Sequence, residues 1–587
     1  MKGDGRCLKL FLALLILFLQ NVKGGEVGHS HNHSHSLRDA KVTVRCIERE
    51  RQALLAFKRD LMDVFNQLST WGSEAEKQDC CRWEGVYCSN QTGHVIQLDL
   101  GYYSFQGKMI SPKLIELQHL QYLDLAFIDF NGSQIPDFIG SLTSLRYLNL
   151  SFCYFIGPIP SSFRNLTQLQ HLDLSYNHLQ PENLNWLPAL SSLTYLDLSF
   201  IDFNGSRIPD FIGSLTNLRN LRLRSCHFIG PIPSSFGNLT QLQNLDLSYN
   251  QLQPENLNCL PALSSLTDLD LSGSFNGSQI PNFIGSLTNL RNLHLSSCHF
   301  IGPIPSSFGN LTQLQNLDLS YNQLQPENLN CLPALSSLTD LDLSGSFNGS
   351  QIPDFIGSLT NLRNLHLSSC HFIGPIPSSF GNLTQLQNLD LSYNQLQPEN
   401  LNWLPALSSL TDLYLSRSFD GGQIPDFIGS LTNLRYLSLH FCNLVGQIPS
   451  SFGNLTQLQH LDLSYNHLQP ENLNWLPALS SLTNLHLSRN NLSTVFNWPE
   501  AILNKLPKLV ALTMVNCSLP PPPTPILSTT LYKTNSSTSL AYVSLSDNHL
   551  TSSIFLWLSN YSTSLVTLDL SNFWTMLNRA LNLIVND

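Results

Sequence analysis

Residues 287–310 read LTNLRNLHLSSCHFIGPIPSSFGN, and residues 359–382 repeat the string letter for letter, 72 residues later. The same step carries LTNLRNLRL at Leu215 to LTNLRNLHL at Leu287, and LTNLRNLHL at Leu359 to LTNLRYLSL at Leu431. Residues 215–286 and 287–358 differ at three places: Arg222 against His294, Arg224 against Ser296, and Asn282 against Asp354. Each block divides in three. The second leucine of an L-x-L core falls at Leu223, Leu247, Leu271, Leu295 and Leu319, and so on every 24 residues to Leu487. Upstream the slot is held by Leu100, Leu125, Leu150, Leu174 and Leu198; downstream it decays to Met514, Leu545 and Leu570. The count is about 20 units.

Alternation supplies the physics. In RNLHLSS, Leu293 and Leu295 point to one side of an extended segment, and Asn292, His294 and Ser296 to the other. One turn cannot bury its leucines alone, so the array must stack. Parallel pairing at about 4.8 Å per turn makes a concave sheet roughly 95 Å along its arc. The pattern L-x-x-L-x-x-L-x-L-x-x-[N/C]-x-[LF]-x-G-x-I-P is the leucine-rich repeat. Its 24-residue period with GPIP or SQIP resembles the plant-specific class. The expected fold is therefore an α/β solenoid: a leucine-rich-repeat superhelix with a parallel concave β-sheet.

Cys298 stands three residues after its L-x-L core, where Asn177, Asn250, Asn322, Asn394 and Asn466 stand in other turns. Cys153, Cys226, Cys370, Cys442 and Cys517 match it. The slot predicts an inward ladder in which asparagine bonds the backbone and a small thiol substitutes. Copies three turns apart are separated by about 14 Å. A disulfide needs its α-carbons within about 7 Å, and a buried thiol stays protonated. Cys259 and Cys331 alternate with Trp186, Trp403 and Trp475 in PENLNxLPAL, which predicts a partly buried packing site on the back of the turn.

At the amino terminus Lys2, Arg6 and Lys9 precede the apolar run 10–19 and Val22-Lys23-Gly24, the layout of a cleaved secretory signal over 1–24. A His-rich segment follows over 25–45, with His29, His31, His33 and His35 in HSHNHSH; it reads as incidental rather than metal-binding. The stretch 46–71 reads as an amphipathic helix with Leu54, Phe57, Leu61 and Phe65 on one face. DCCRWEGVYCSNQTGHVIQLDL comes next. A repeat stack must hide its first open turn. Residues 46–93 resemble the amino-terminal cap of plant extracellular leucine-rich-repeat proteins, with its C-C-x-W-x-G-V-x-C signature. Four cysteines allow three pairings; the resemblance implies Cys46–Cys80 and Cys81–Cys88, with Trp83 on the first turn. Repeats should run over 94–515. A Pro/Ser/Thr-rich irregular segment is expected over 516–539, with the tetraproline 520–523, then degenerate repeats over 540–572 and an irregular tail over 573–587.

The net charge of −11 and the lack of a basic run argue against nucleic acid. No stretch after the leader is long and apolar enough to span a membrane, so this sequence predicts no anchor. No catalytic constellation, phosphate loop, metal-ligand spacing or kinase signature appears, so the chain reads as a non-enzyme without cofactor or metal. Sequons predict glycans at Asn90, Asn131, Asn165, Asn204, Asn238, Asn276, Asn310, Asn348, Asn382, Asn454, Asn491, Asn535 and Asn560. Asn149 and Asn516 also carry the motif, but Asn149 sits mid-strand.

The outward strand positions are the candidate binding surface. They carry Arg222, Arg224, Asp246, Tyr249, Asp270, His294, Asp318, Tyr321, Asp342, His366, Asp390 and Tyr414, with Arg219, Arg291, Arg363 and Arg435 expected as a basic row between the carboxylates. Such a lining can grip a peptide or protein, although D-L-S and S-Y-N also recur as framework letters. Differences between copies concentrate there: 222/294, 224/296, Asp342/Tyr414 and Gly345/Arg417.

Leader, cap and repeats together resemble plant leucine-rich-repeat receptor-like proteins, the group of fungal-xylanase receptors and of scab- and leaf-mould-resistance proteins. The resemblance implies recognition of an apoplastic peptide or protein ligand at the cell surface, and signalling only through partner leucine-rich-repeat kinases. Without the anchor and cap with which relatives usually end, the chain is expected to be a truncated or secreted form. The alternatives are a secreted inhibitor of cell-wall-degrading enzymes, like the polygalacturonase inhibitors, and a decoy or non-functional copy.

Overall fold

The computed structural model describes residues 46–180, 184–253, 260–325, 332–397, 401–503, 505–522, 539–559 and 564–571. The expected leader, the His-rich tract, Cys259, Cys331, Asn535, Asn560 and the tail 573–587 lie outside the described residues. One sheet of 21 strands organises the rest. It begins with Val86–Cys88, antiparallel to Val95–Asp99. Every later strand pairs in parallel with the one before, through to Thr567–Asp569. No described pairing joins the first strand to the last, so the sheet is open. The strands Asn292–His294, Asn316–Asp318 and Asp340–Asp342 lie in register, Leu293 beside Leu317 beside Leu341. One repeat length therefore equals one step across the sheet.

Each turn closes the same way. The L-x-L leucines are buried from Leu98 and Leu100 through to Leu545, Met514 included; in the last turn Leu568 is exposed and Leu570 half-buried. The inward asparagine is a hub: Asn322 Nδ2 donates to the carbonyls of Leu295 (2.9 Å) and Leu319 (2.8 Å), and its Oδ1 accepts from Phe300 N–H (2.9 Å). These are backbone groups that no strand partner satisfies, and burial makes leaving them unpaired costly. Where the slot is cysteine, only the donor half is replaced. Cys298 Sγ faces the carbonyls of Leu271 (3.2 Å) and Ser296 (3.5 Å). All six ladder cysteines are free and buried. On the back, short 3-10 turns such as Ser306–Asn310 start after a proline that pre-sets the bend. Gly285 is required there: a Cβ would lie 2.3 Å from the carbonyl oxygen of Ser307 in the next turn.

The cap carries disulfides Cys46–Cys80 and Cys81–Cys88, each with 5.4 Å between α-carbons. Trp83 is buried, stacks on Trp71 at 5.2 Å, and donates its indole N–H to the carbonyl of Lys77 (2.8 Å). The helix is shorter than its apolar spacing predicts. It spans Glu48–Asp60 and buries Leu54 and Phe57. Leu61 then enters a two-residue strand beside Gly107. The Asp63 carboxylate accepts the N–H groups of Gln67 (2.8 Å) and Leu68 (2.7 Å), a local turn that competes with helix. Phe65, expected on the buried face, is 71% exposed. The Trp186, Trp403 and Trp475 slot is buried outright rather than partly so.

Candidate recognition face

Register converts the linear pattern into rows. Along the strand starts run Tyr122, Tyr147, His171, Tyr195, Asn220, Asn244 and Asp268. Along the strand ends run Asp173, Asp197, Arg222, Asp246, Asp270, His294, Asp318, Asp342, His366, Asp390 and Tyr414. The expected binding residues of this second row do share one surface. Arg219, Arg291, Arg363 and Arg435 do not join it. Backbone bonds place them just before the strands, alternating with Gln243, Thr267 and their equivalents. They stand three residues, about 10 Å, from the carboxylate row instead of between its members. The shared period hides this three-letter offset until the turns are aligned one beneath another.

The strand-end carboxylates have a double role. One oxygen of each closes its own turn: Asp246 Oδ1 accepts from Ser248 N–H (2.9 Å) and Oγ–H (2.6 Å), and Asp270, Asp318, Asp342 and Asp390 accept the equivalent N–H at 2.9 Å. The D-L-S letters are thus framework, as an Asx turn at each strand exit. Burial pushes the Asp173 carboxyl up to about 6, and neighbouring Asp197 adds to the rise. Burial also raises Asp197, Asp270 and Asp342.

A cleft of about 410 Å³ opens where two arginines interrupt the carboxylates. Tyr176, Phe200, Arg222, Arg224, Asp246, Asp270 and His294 line it. Arg222 Nη1 donates to the Tyr195 hydroxyl (3.1 Å) and lies 3.8 Å from Asp197 Oδ2. Arg224 sits over the rings of Tyr249 (4.6 Å) and Phe200 (6.0 Å). These arginines are two of the three residues that distinguish this block from its copy.

Two aromatic ladders lead into the cleft, and the sequence reading missed most of their members. At the strand starts Tyr122, Tyr147, His171 and Tyr195 stack at 4.0, 4.1 and 4.0 Å. Burial, helped by Arg222, pushes His171 down to about 4, so it stands neutral in the stack. In the turns beyond the strands Tyr102, Phe127, Phe152, Tyr176 and Phe200 stack at 5.1, 4.6, 3.9 and 4.1 Å. The signal was present in the letters: aligning turns one beneath another puts these rings in columns.

The eleven described sequons expected to be modified are all exposed. Asn149 is buried and donates to Asp124 Oδ2 (3.1 Å). Among the described residues, no helix is long and apolar enough to cross a membrane. Among the described residues, the one cluster of metal-ligating residue types is Cys46, Cys80 and Cys81, three cysteines already committed to disulfides.

Comparison with known proteins agrees with this architecture. The leucine-rich repeat region matches residues 94–228, 172–300, 245–444 and 314–519, and the leucine rich repeat N-terminal domain matches 47–89. Receptor-like protein EIX1 of Solanum lycopersicum is 37% identical over 200 residues, 32% of this chain and 19% of that protein. Receptor-like protein EIX2 of the same plant is 51% identical over 86 residues, 13% of this chain and 8% of that protein. The match thus spans a fifth or less of either relative. Among solved structures, the Arabidopsis receptor kinase HAESA, in complex with the peptide hormone IDA and the co-receptor SERK1, has a TM-score of 0.60 at 27% identity, over 86% of this chain and 82% of that one. The plant peptide hormone receptor RGFR1, in complex with RGF2, has a TM-score of 0.50 at 26% identity, over 84% and 91%. The chain belongs to the leucine-rich repeat family, and its relatives are plant receptor-like proteins.

Proposed function

We propose that this chain is a non-enzymatic extracellular recognition module that binds a peptide or protein ligand on the outward face of its sheet, centred on the cleft at Arg222 and Arg224. One observation carries the reading. Two of the three changes between near-identical blocks put guanidinium groups into one cleft, between a carboxylate row and two aromatic ladders. Drift would scatter changes over the exposed loops, of which each block has several. Aromatic and arginine side chains are also the residues that most often anchor protein partners. Likeness to ectodomains that bind peptide hormones supports the same class of ligand. Signalling through partner kinases, a secreted or cell-surface location, and glycans on the exposed sequons complete the proposal.

The copies supply the test. Arg222→His with Arg224→Ser installs the residues that the next block carries, so the fold tolerates them. A displayed random-peptide library is selected on the secreted wild-type chain and on this double variant. Peptides that bind only the wild type support the reading. Identical peptide sets from both chains overturn it.

A further inference from the structure

Five positions separate residues 359–430 from their copy at 287–358: Trp403 for Cys331, Tyr414 for Asp342, Arg417 for Gly345, Asp420 for Asn348 and Gly422 for Ser350. The last two erase the N-G-S sequon that the earlier copy carries at Asn348. In the following turn Phe441 stands where the earlier copy has Ser369, and Arg489 repeats the Arg417 slot 72 residues on. In space these changes meet. The Arg417 guanidinium carbon lies 5.4 Å from the Tyr393 ring and 4.5 Å from the Phe441 ring. Phe441 and Tyr465 are 5.8 Å apart, and Arg489 lies 5.1 Å over Tyr465. A cation–aromatic stack thus occupies a row that reads Tyr321, Gly345 and Ser369 in the earlier copy.

Neither arginine forms an ion pair among the described residues. Stacking on a ring leaves the N–H edge of a guanidinium free, and that edge matches a carboxylate bidentately. Beside the stack opens a depression of about 550 Å³ lined by Phe441, Asn443, Tyr465, Arg489 and Asn491. The Asp420 turn borders this region, Asn443 Nδ2 donating to Asp420 Oδ1 (2.7 Å), and there a glycan site has been removed. Arg417 and Arg489 are three turns apart, about 14 Å, which four residues of extended chain span.

We propose that Arg417 and Arg489, held on Phe441 and Tyr465, bind an acidic segment of a peptide or protein whose carboxylates lie about four residues apart. The site is separate from the Arg222–Arg224 cleft. It rests on the recognition reading only in using the same sheet, and its test needs neither that cleft nor its ligand.

The probe is a labelled, end-capped peptide with two glutamates four residues apart, titrated against the secreted chain at low salt. A chain of net charge −11 repels such a probe in general, so binding reports a local site. Arg417→Gly with Arg489→Ser should weaken binding at least tenfold, while Arg164→Gly, in the back turn Ser161–Asn165, should leave it unchanged. Glycine already stands at the Arg417 slot in two copies, Gly273 and Gly345, so folding is not at issue. Moving the glutamates together in the probe should cost several-fold. No binding by the wild type, equal weakening by Arg164→Gly, or indifference to Arg417→Gly with Arg489→Ser would each overturn the proposal.

Discussion

Up to Asp390 the strand-end row is dominated by carboxylates; from Tyr414 it reads Tyr414, Ser438, Asp462, His486, Thr513 and Ser544. Beneath both regions the interior is the same. Leu317 and Leu461 are equally buried, and Asn322 and Asn466 make the same contacts. Inward side chains lock the register of each turn to the next, so they cannot change singly. Outward side chains touch only their row neighbours and can change without disturbing the stack. The comparison shows a framework and a surface that vary independently, and three experiments bear on that separation.

The largest effect should come from the asparagine ladder. Asn322→Ala strands the Phe300 N–H and the Leu295 carbonyl, while the Leu319 carbonyl keeps the Ser346 hydroxyl, at a cost of about 2–4 kcal/mol. Asn466→Ala should cost at least as much, because it strands the Leu439 carbonyl and the N–H groups of Cys442 and Leu444, while the Leu463 carbonyl keeps the Asn490 amide. Hydrogen exchange of the flanking turns reads local opening, which suits a long repeat array better than one global midpoint. A clearly smaller loss at Asn466 would show that framework and surface are coupled after all.

A smaller, pH-dependent effect belongs to the carboxylate region. The Asp173 carboxyl is raised in the folded chain to about 6 from 3.8. The folded state therefore holds this proton more tightly than the unfolded one. The associated stability is fully present below the unfolded value of 3.8 and is lost as pH rises through about 6. Asp173→Asn removes the charge but keeps an acceptor for Ser175. Its Tm should match wild type at pH 3.5 and exceed it at pH 7.5.

The smallest effect is expected at the cysteine ladder. Burial pushes the thiols of Cys298 and Cys370 up to about 11. The folded chain should resist alkylation there at pH 8, and denaturant should expose both. Cys298→Ala removes one sulfur and a weak donor, and should cost about 1–2 kcal/mol by thermal unfolding. That is less than Asn322→Ala, because a thiol is a weaker donor and acceptor than a side-chain amide.

The framework was legible because its signal is short-range and repeated. Leu293 and Leu295 alternate with polar neighbours, and Cys298 and Asn322 share one slot. Family resemblance supplied the cap, both disulfide pairs included. Phe65 was misread because apolar spacing continued past the point where Asp63 closes a turn, and spacing carries no information about competing side-chain hydrogen bonds. Arg219, Arg291, Arg363 and Arg435 stand three letters ahead of the strand-end column, an offset that the shared period hides until the turns are aligned.

The sequence by itself determined the 24-residue period, the inward ladders, and where sequons fall on the turns. Only the tertiary structure decided which outward residues become neighbours. Tyr147 and His171 stack, and Arg417 sits on Phe441, because parallel strands place residues 24 apart at contact distance. The physical reason is that contact across the sheet is set by register, and register exists only once the leucines of successive turns have packed.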